Sequence, residues 1–277
     1  MAGRRNRSAF RISRNLLLLA GAGSASILVC VCLAAPWLAP FDPAAIDLSI
    51  RLQSPSAEHW LGTDNLGRDM LSRVLWGGRI SITVTAVVLL VSLVAGMVVG
   101  LICGYSGGVA EELGMRLTDL FYALPGIILA LALIGALGPS IAALVLALAL
   151  TGWVRYARLA RSLVLTVKTS EFVEAARAIG ATDSHIMRKH LLPASVGPVA
   201  AQLSLDAGVT VLAIAGLSFL GLGIQRPTPE WGTMLVDARP YMDYAPHLVL
   251  PPGVAIFILV FGFNVLSEGL ENLLRPG

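Results

Sequence analysis

Charge is what this chain has least of. Asp, Glu, Lys and Arg make up only 13% of its 277 residues, where a soluble globular chain carries about a quarter. Hydrophobic residues reach 56% and the mean hydropathy is +0.78, which excludes an ordinary water-soluble domain. Cysteine is nearly missing: Cys30, Cys32 and Cys103 all lie inside apolar runs. An odd number in such places excludes a disulfide framework, and two cysteines two residues apart do not share a helix face as a metal pair would. No window fits G-x-x-x-x-G-K-[ST], so the chain carries no P-loop of its own. No cluster of nucleophile, base and metal ligands stands out either, which argues against a membrane enzyme and against a metal site.

What is present is a series of long apolar runs. They predict one all-α membrane domain of six transmembrane helices, at about 16–38, 80–103, 115–137, 141–156, 196–222 and 248–266. An arm of 15 residues precedes them and holds Arg4, Arg5, Arg7, Arg11 and Arg14. The first apolar run is too long for a signal peptide, so it reads as a retained span with the N-terminus in the cytoplasm. Of the 20 Lys and Arg residues, 14 fall in the proposed inner segments and six in the outer ones. That bias follows the positive-inside rule and puts both termini inside. The same clustering makes the net charge of +3 a matter of topology, not of nucleic-acid binding.

Within the spans, Gly96, Gly100 and Gly104 recur every four residues, the pattern that lets helices approach closely, with a pore lining as the alternative. Pro125 predicts a kink in the third span. Arg116 and Asp119, three apart at its cytoplasmic end, are placed to pair. Asp206 lies in the fifth span. An acid at membrane depth is costly, so it should face the bundle interior, as a pathway residue or as a hydrogen-bond partner of a neighbouring helix.

One polar island interrupts the runs, Thr169 to Pro193, TSEFVEAARAIGATDSHIMRKHLLP. Thr169 and Ser170 are N-cap residue types and Glu171 suits the first helical turn. Phe172, Ala175 and Ile179 form a narrow apolar stripe, with Glu174 and Arg177 three apart on another side. Gly180 reads as a C-cap, Asp183 as the next N-cap and Pro193 as the end of a second helix. A capped helical hairpin in the loop of a membrane protein points to a docking partner; the alternative is an ordinary amphipathic hairpin lying on the lipid headgroups.

On these residues the chain resembles a family. Glu174-Ala175-Ala176, then Gly180, then Leu192-Pro193 resemble the EAA loop of the membrane subunits of bacterial ABC importers. HWLGTDNLGRDMLSR, from His59 to Arg73, is a longer and more specific resemblance to the dipeptide, oligopeptide and nickel branch. Gln225 to Met242 and the tail FNVLSEGLENLLRP resemble the same branch, so the likeness runs from about Asp42 to Pro276. It implies the type I importer permease fold, in the bacterial inner membrane, with the loop as a cytoplasmic coupling element.

The resemblance further implies that Glu174 anchors the coupling helix, that Ala175 and Ala176 form its small contact surface, and that Gly180 makes its turn. The implied partners are a second, related permease, two ABC ATPase subunits, an extracytoplasmic solute-binding protein and membrane lipid. ATP and Mg would be bound by the ATPases, with no cofactor in this chain and no catalysis by it. The implied cargo is small peptides or nickel chelates. A short N-terminal arm and the run Ile46 to Pro55 look somewhat more like nickel-type members. For the outer run, Gly62, Thr63, Asp64, Gly67, Arg68 and Asp69 are candidates either for a periplasmic functional motif or for a structural lid. A lone His59 reads as structural. The alternative class is a secondary transporter or channel working without an ATPase. It would show inverted repeats and several paired intramembrane charges.

Overall fold

The computed structural model describes residue 19 and residues 21–274. The described residues form helices and loops, with one isolated β-bridge, between Thr63 and Asp69. In chain order the helices are α1 (Gly21–Leu33), α2 (Ala35–Leu38), α3 (Met70–Ser106), α4 (Gly108–Ala123), α5 (Gly126–Leu137) and α6 (Ile141–Lys168). They continue with α7 (Glu171–Ala178), α8 (Asp183–Ile186), a π-helical turn (Met187–Leu191), α9 (Leu192–Phe219), α10 (Trp231–Ala238) and α11 (Leu250–Leu274).

Four helices are individually long and apolar enough to cross a membrane: α3, α6, α9 with its π turn, and α11. Each covers one expected span, the second, fourth, fifth and sixth. The first expected span, 16–38, begins outside the described residues; inside them it is represented by the shorter apolar α1 and by α2. The third departs from expectation. Instead of one kinked span over 115–137, α4 and α5 meet at 86° across a full break. Pro125 supplies the reason: Leu124 before it is extended (φ −95°, ψ 135°), as the residue ahead of a proline prefers, and Pro125 itself becomes the N-cap of α5. Counting the bent pair as one span gives five.

Helix ends also run past the apolar windows. At 37 residues α3 is about 55 Å long, well beyond a hydrocarbon core of about 30 Å. Its N-terminus is capped by the Asp69 carboxylate, which accepts from the Ser72 amide at 2.7 Å. Between the expected second and third spans the connection is a turn at Gly107 alone, and α4 starts directly behind it at Gly108.

The bundle is organised by the seam between α3 and α6. Gly96, Gly100 and Gly104 lie against Trp153, Ala157, Ala160 and Val164 of α6, so the helices touch backbone to backbone. Lipid tails are as apolar as leucine, and close contact of this kind is what holds membrane helices together. On the other side α9 packs on α11, where the Ser267 hydroxyl donates to the Ala201 carbonyl at 2.9 Å. Cys30, Cys32 and Cys103 are free thiols, as their placement led one to expect.

Candidate functional site

At one end of the bundle α6 leads through Thr169 and Ser170 into α7. Both hydroxyls donate back to α6 carbonyls, Ser170 to Val167 at 2.6 Å and Thr169 to Leu165 at 3.1 Å. They therefore finish α6 as well as opening α7, which Ser170 begins through its own carbonyl. Among the described side chains of α7 only Val173 is buried, while Glu171, Phe172, Glu174, Ala175 and Ala178 are exposed and Ala176 is half-buried. The apolar stripe read from the sequence thus faces outward: Phe172 is 51% and the neighbouring Ile179 88% exposed. The expected Glu174–Arg177 pairing lies outside the described side chains. Gly180 takes φ +87°, and the Ala181 amide donates to the Ala176 carbonyl at 3.0 Å, the closing bond of a Schellman cap.

Two expectations for the loop need correction. Thr182, not Asp183, sits in the N-cap position of α8, its hydroxyl accepting from the His185 amide at 3.4 Å; Asp183 is already helical. Pro193 does not end the second helix. It occupies the first turn of α9, where its missing N–H is unneeded, and the wide π turn carries the helix through to Phe219. Leu192 and Pro193 are both exposed at this junction.

The spans enclose a second feature, a cavity of about 480 Å³ beside the α4–α5 break, reached by Phe121, Pro125, Thr151, Arg155, Tyr156 and Asp206. Asp206 is 1% exposed, as an acid at membrane depth should be, and its Oδ1 lies 3.2 Å from Nη2 of Arg155 on α6. Its Oδ2 and the Tyr156 hydroxyl, both buried, have no hydrogen-bond partner among the described residues, although Tyr156 faces Asp206. Arg155 begins a ladder of arginines down α6. Arg158 reaches Asp119 of α4 at 2.8 Å, and the Arg161 Nε donates to Glu111 of α4 at 2.7 Å. Arg116, expected to pair with Asp119, turns to Glu112 at 3.6 Å instead, because Arg158 already holds that carboxylate.

At the opposite end, the run from His59 to Arg73 folds into a buried knot. Asp64 accepts from the Leu66 and Arg68 amides at 2.8 and 2.9 Å, and its other oxygen pairs with Arg68 at 2.6 Å and Arg73 at 3.3 Å. Asp237 stands 3.8 Å from both guanidiniums. His59 bonds Asp69 at 2.9 Å and packs against Phe41 in a tilted arrangement, ring centroids 4.7 Å apart. Gly62 and Gly67 hold left-handed turns (φ +76° and +75°), and Thr63 accepts from the Gln53 amide at 2.9 Å. All six candidate residues of this run are engaged in turns or hydrogen bonds within the protein.

The sequence reading missed Glu230. It is fully buried and caps α10, accepting from the Gly232 and Thr233 amides at 2.8 and 3.0 Å, while Ser81 of α3 donates to it at 3.2 Å. Burial pushes its carboxyl above the ordinary range in spite of those bonds. The Pro-Glu-Trp setting was a helix-start signal, but nothing in it announced a buried acid. Removing Asp64 should damage this end most: Asp64→Ala leaves two buried guanidiniums with one distant carboxylate, at a cost of about 3–5 kcal/mol. The expected readout is a clearly lowered thermal midpoint of the detergent-solubilised protein, with Asp64→Asn falling less because the two backbone amides keep their acceptor. An unchanged midpoint for Asp64→Ala would remove the knot's structural role.

The described residues form a helical bundle with a bent helix pair, an ion pair between buried Asp206 and half-exposed Arg155 beside a cavity, and an outward-facing helical loop, which together describe a polytopic membrane subunit. Comparison with known proteins agrees. The family described as "Binding-protein-dependent transport system inner membrane component" matches residues 96–277, and the chain belongs to that family. Among its relatives is the glutathione transport system permease protein GsiD of Escherichia coli O1:K1 / APEC, 40% identical over 267 residues, covering 96% of this chain and 88% of the relative. The nickel transport system permease protein NikC of Escherichia coli K12 is 41% identical over 251 residues, covering 91% of each chain. In fold, the chain is similar to the MetNI methionine ABC transporter in its inward-facing crystal form, with TM-score 0.61, 20% identity, and coverage of 75% of this chain and 98% of that one. An amino acid ABC transporter follows at TM-score 0.56, 16% identity, and coverage of 73% and 94%. The protein is a multi-pass inner-membrane permease subunit of an ABC importer.

Proposed function

We propose that this permease pairs with a second, related permease to form one path, and that two ABC ATPases drive it through the loop 169–193. The cargo is a small peptide or a nickel chelate, handed over by an extracytoplasmic binding protein. ATP and Mg are bound by the ATPases, and this chain carries no catalytic residue. The observation that carries the reading is the outward-facing α7, which offers Phe172, Ala175 and Ile179 to water in the isolated chain. A short helix with exposed apolar residues and one buried anchor gains little from standing free, and much from lying in a partner's cleft. In this arrangement both termini and the loop are cytoplasmic, and the lid around Asp64 and Glu230 faces the binding protein.

Identities of 40% to a glutathione permease and 41% to a nickel permease do not separate the two cargoes. The lean toward nickel-type members read from Ile46 to Pro55 therefore carries no weight here. Gentle extraction of a tagged chain from native membranes tests the assembly. A second permease and ATPase subunits should accompany it; recovery alone, or only as a homo-oligomer, would sink the importer assembly.

A further inference from the structure

We propose that Arg155 is a carboxylate-binding residue for solute in transit, and that Asp206 and Tyr156 form the element that releases it; this rests on the permease reading above. The cavity of about 480 Å³ lies within the size range of small-molecule sites, about 300–1,000 Å³, and its walls are mostly apolar. Arg155 is the exception. Its side chain is 43% exposed, and its one ion-pair contact among the described residues is Nη2 to Asp206 Oδ1 at 3.2 Å. A guanidinium offers five N–H donors in a planar fork matched to a carboxylate, so most of its capacity is free for a ligand.

Behind Arg155 lie two groups with nothing to do in this state. The Tyr156 hydroxyl and Asp206 Oδ2 are buried and lack hydrogen-bond partners. A buried unpaired donor next to a buried unpaired acceptor is costly. They face one another without a completed hydrogen bond, so that the Tyr156 hydroxyl is the group at hand to take over Asp206 when Arg155 turns away. Two arrangements follow. Without solute, Arg155 rests on Asp206. With solute, its fork turns to the incoming carboxylate, and the Tyr156 hydroxyl donates to Asp206, so that the acid is not stranded at membrane depth. Arg155 contacts solute; Asp206 and Tyr156 are positioning residues. A bare divalent cation fits poorly, since no group of three His, Cys, Asp or Glu ligands occurs among the described residues and a guanidinium would repel it. The solute class is therefore a carboxylate-bearing molecule, as a free peptide or as the organic part of a chelate.

The test uses the assembled complex, with its own binding protein, in liposomes. Three probes are imported: trialanine, trialanine amide in which the terminal carboxylate is masked, and a nickel–histidine chelate. One binding protein delivers every probe to every variant, so a change in selectivity between variants belongs to the permease. In R155Q/D206N, which leaves no unpaired charge, the ratio of trialanine to trialanine-amide import should fall about tenfold, the scale of one charge-assisted hydrogen-bonded contact. Arg155→Lys, which keeps the charge and loses the fork, should fall partway and serves as the readout should the double variant fail to assemble. Loss of trialanine alone marks a free peptide as the solute, and loss of the chelate alone marks its organic ligand. An unchanged ratio in both variants, even with lower total import, makes the pair structural and overturns the proposal. A wild-type complex that imports none of the three overturns the proposed cargo, small peptide or nickel chelate, and with it this proposal.

Discussion

Gly100→Leu should leave almost no folded protein in the membrane. A Cβ at Gly100 would stand 2.2 Å from the Ala157 carbonyl oxygen and 2.7 Å from the Ala160 Cβ. The obstacle is α6 backbone, which has no rotamer to retreat into, so α3 and α6 must separate along their whole seam. Overpacking of well-filled interiors costs on the order of 3 kcal/mol, and more where backbone is struck. The loss also removes the contact that replaces hydrophobic drive inside a bilayer. The glycines should rank accordingly. Gly104→Ala meets a Val164 side-chain atom first, at 2.8 Å, and should be milder than Gly100→Ala, whereas Gly135→Ala meets nothing within 4 Å and should be neutral. Membrane abundance of folded, detergent-extractable protein is the measurement, and equal abundance of Gly100→Leu and wild type would refute the seam.

Gly180→Val should have the opposite profile: normal insertion and abundance, with uptake reduced at least tenfold. Its φ of +87° is closed to a β-branched residue, yet no atom lies within 4 Å of a Cβ built there. The expense is therefore backbone strain, about 1–2 kcal/mol, confined to the turn between α7 and α8. That is too little to unfold the spans and enough to re-aim α7. Gly180→Asn, which tolerates the left-handed region, should keep most uptake. Gly180→Asp tolerates it too but adds a negative charge at the α7 C-terminus, against the helix dipole, and should lose uptake. Solute import per unit of membrane protein decides it. Normal uptake in both Val and Asp variants would end the coupling role proposed for this loop.

Much of this architecture was legible before any coordinates. Apolar runs of span length fall on α3, α6, α9 and α11 because a bilayer leaves a chain few other options. The glycine triplet predicted a close seam, though not its partner, since α6 announces itself only by small residues among many. The break at Pro125 read as a kink because proline reports that a helix is disturbed, and by how much is decided by what fills the gap. In the loop, Gly180 was legible from backbone chemistry alone. Asp183 and Pro193 were misread because a cap depends on which oxygen reaches which amide, and a π turn leaves no mark in composition. Asp206 was legible as costly, but its partner was not. Arg155 sits 51 residues earlier, where its charge reads only as one of the 14 that set topology. Glu230 was invisible, since an acid beside two prolines and a tryptophan looks like surface.

The arginine ladder has a mechanical meaning. Arg155, Arg158 and Arg161 fasten one 28-residue helix to α9 once and to α4 twice. Its last residue, Lys168, adds a fourth tie to the Tyr105 carbonyl at the end of α3. The same helix forms a wall of the cavity and runs without interruption to Thr169, where the loop begins. It therefore has the build of a lever with a riveted shaft. In the coupling role proposed for the loop, a tilt of its end would carry α4 along through Arg158 and Arg161, while α9 follows only as long as Arg155 rests on Asp206, so that solute in the cavity loosens one joint and leaves the others.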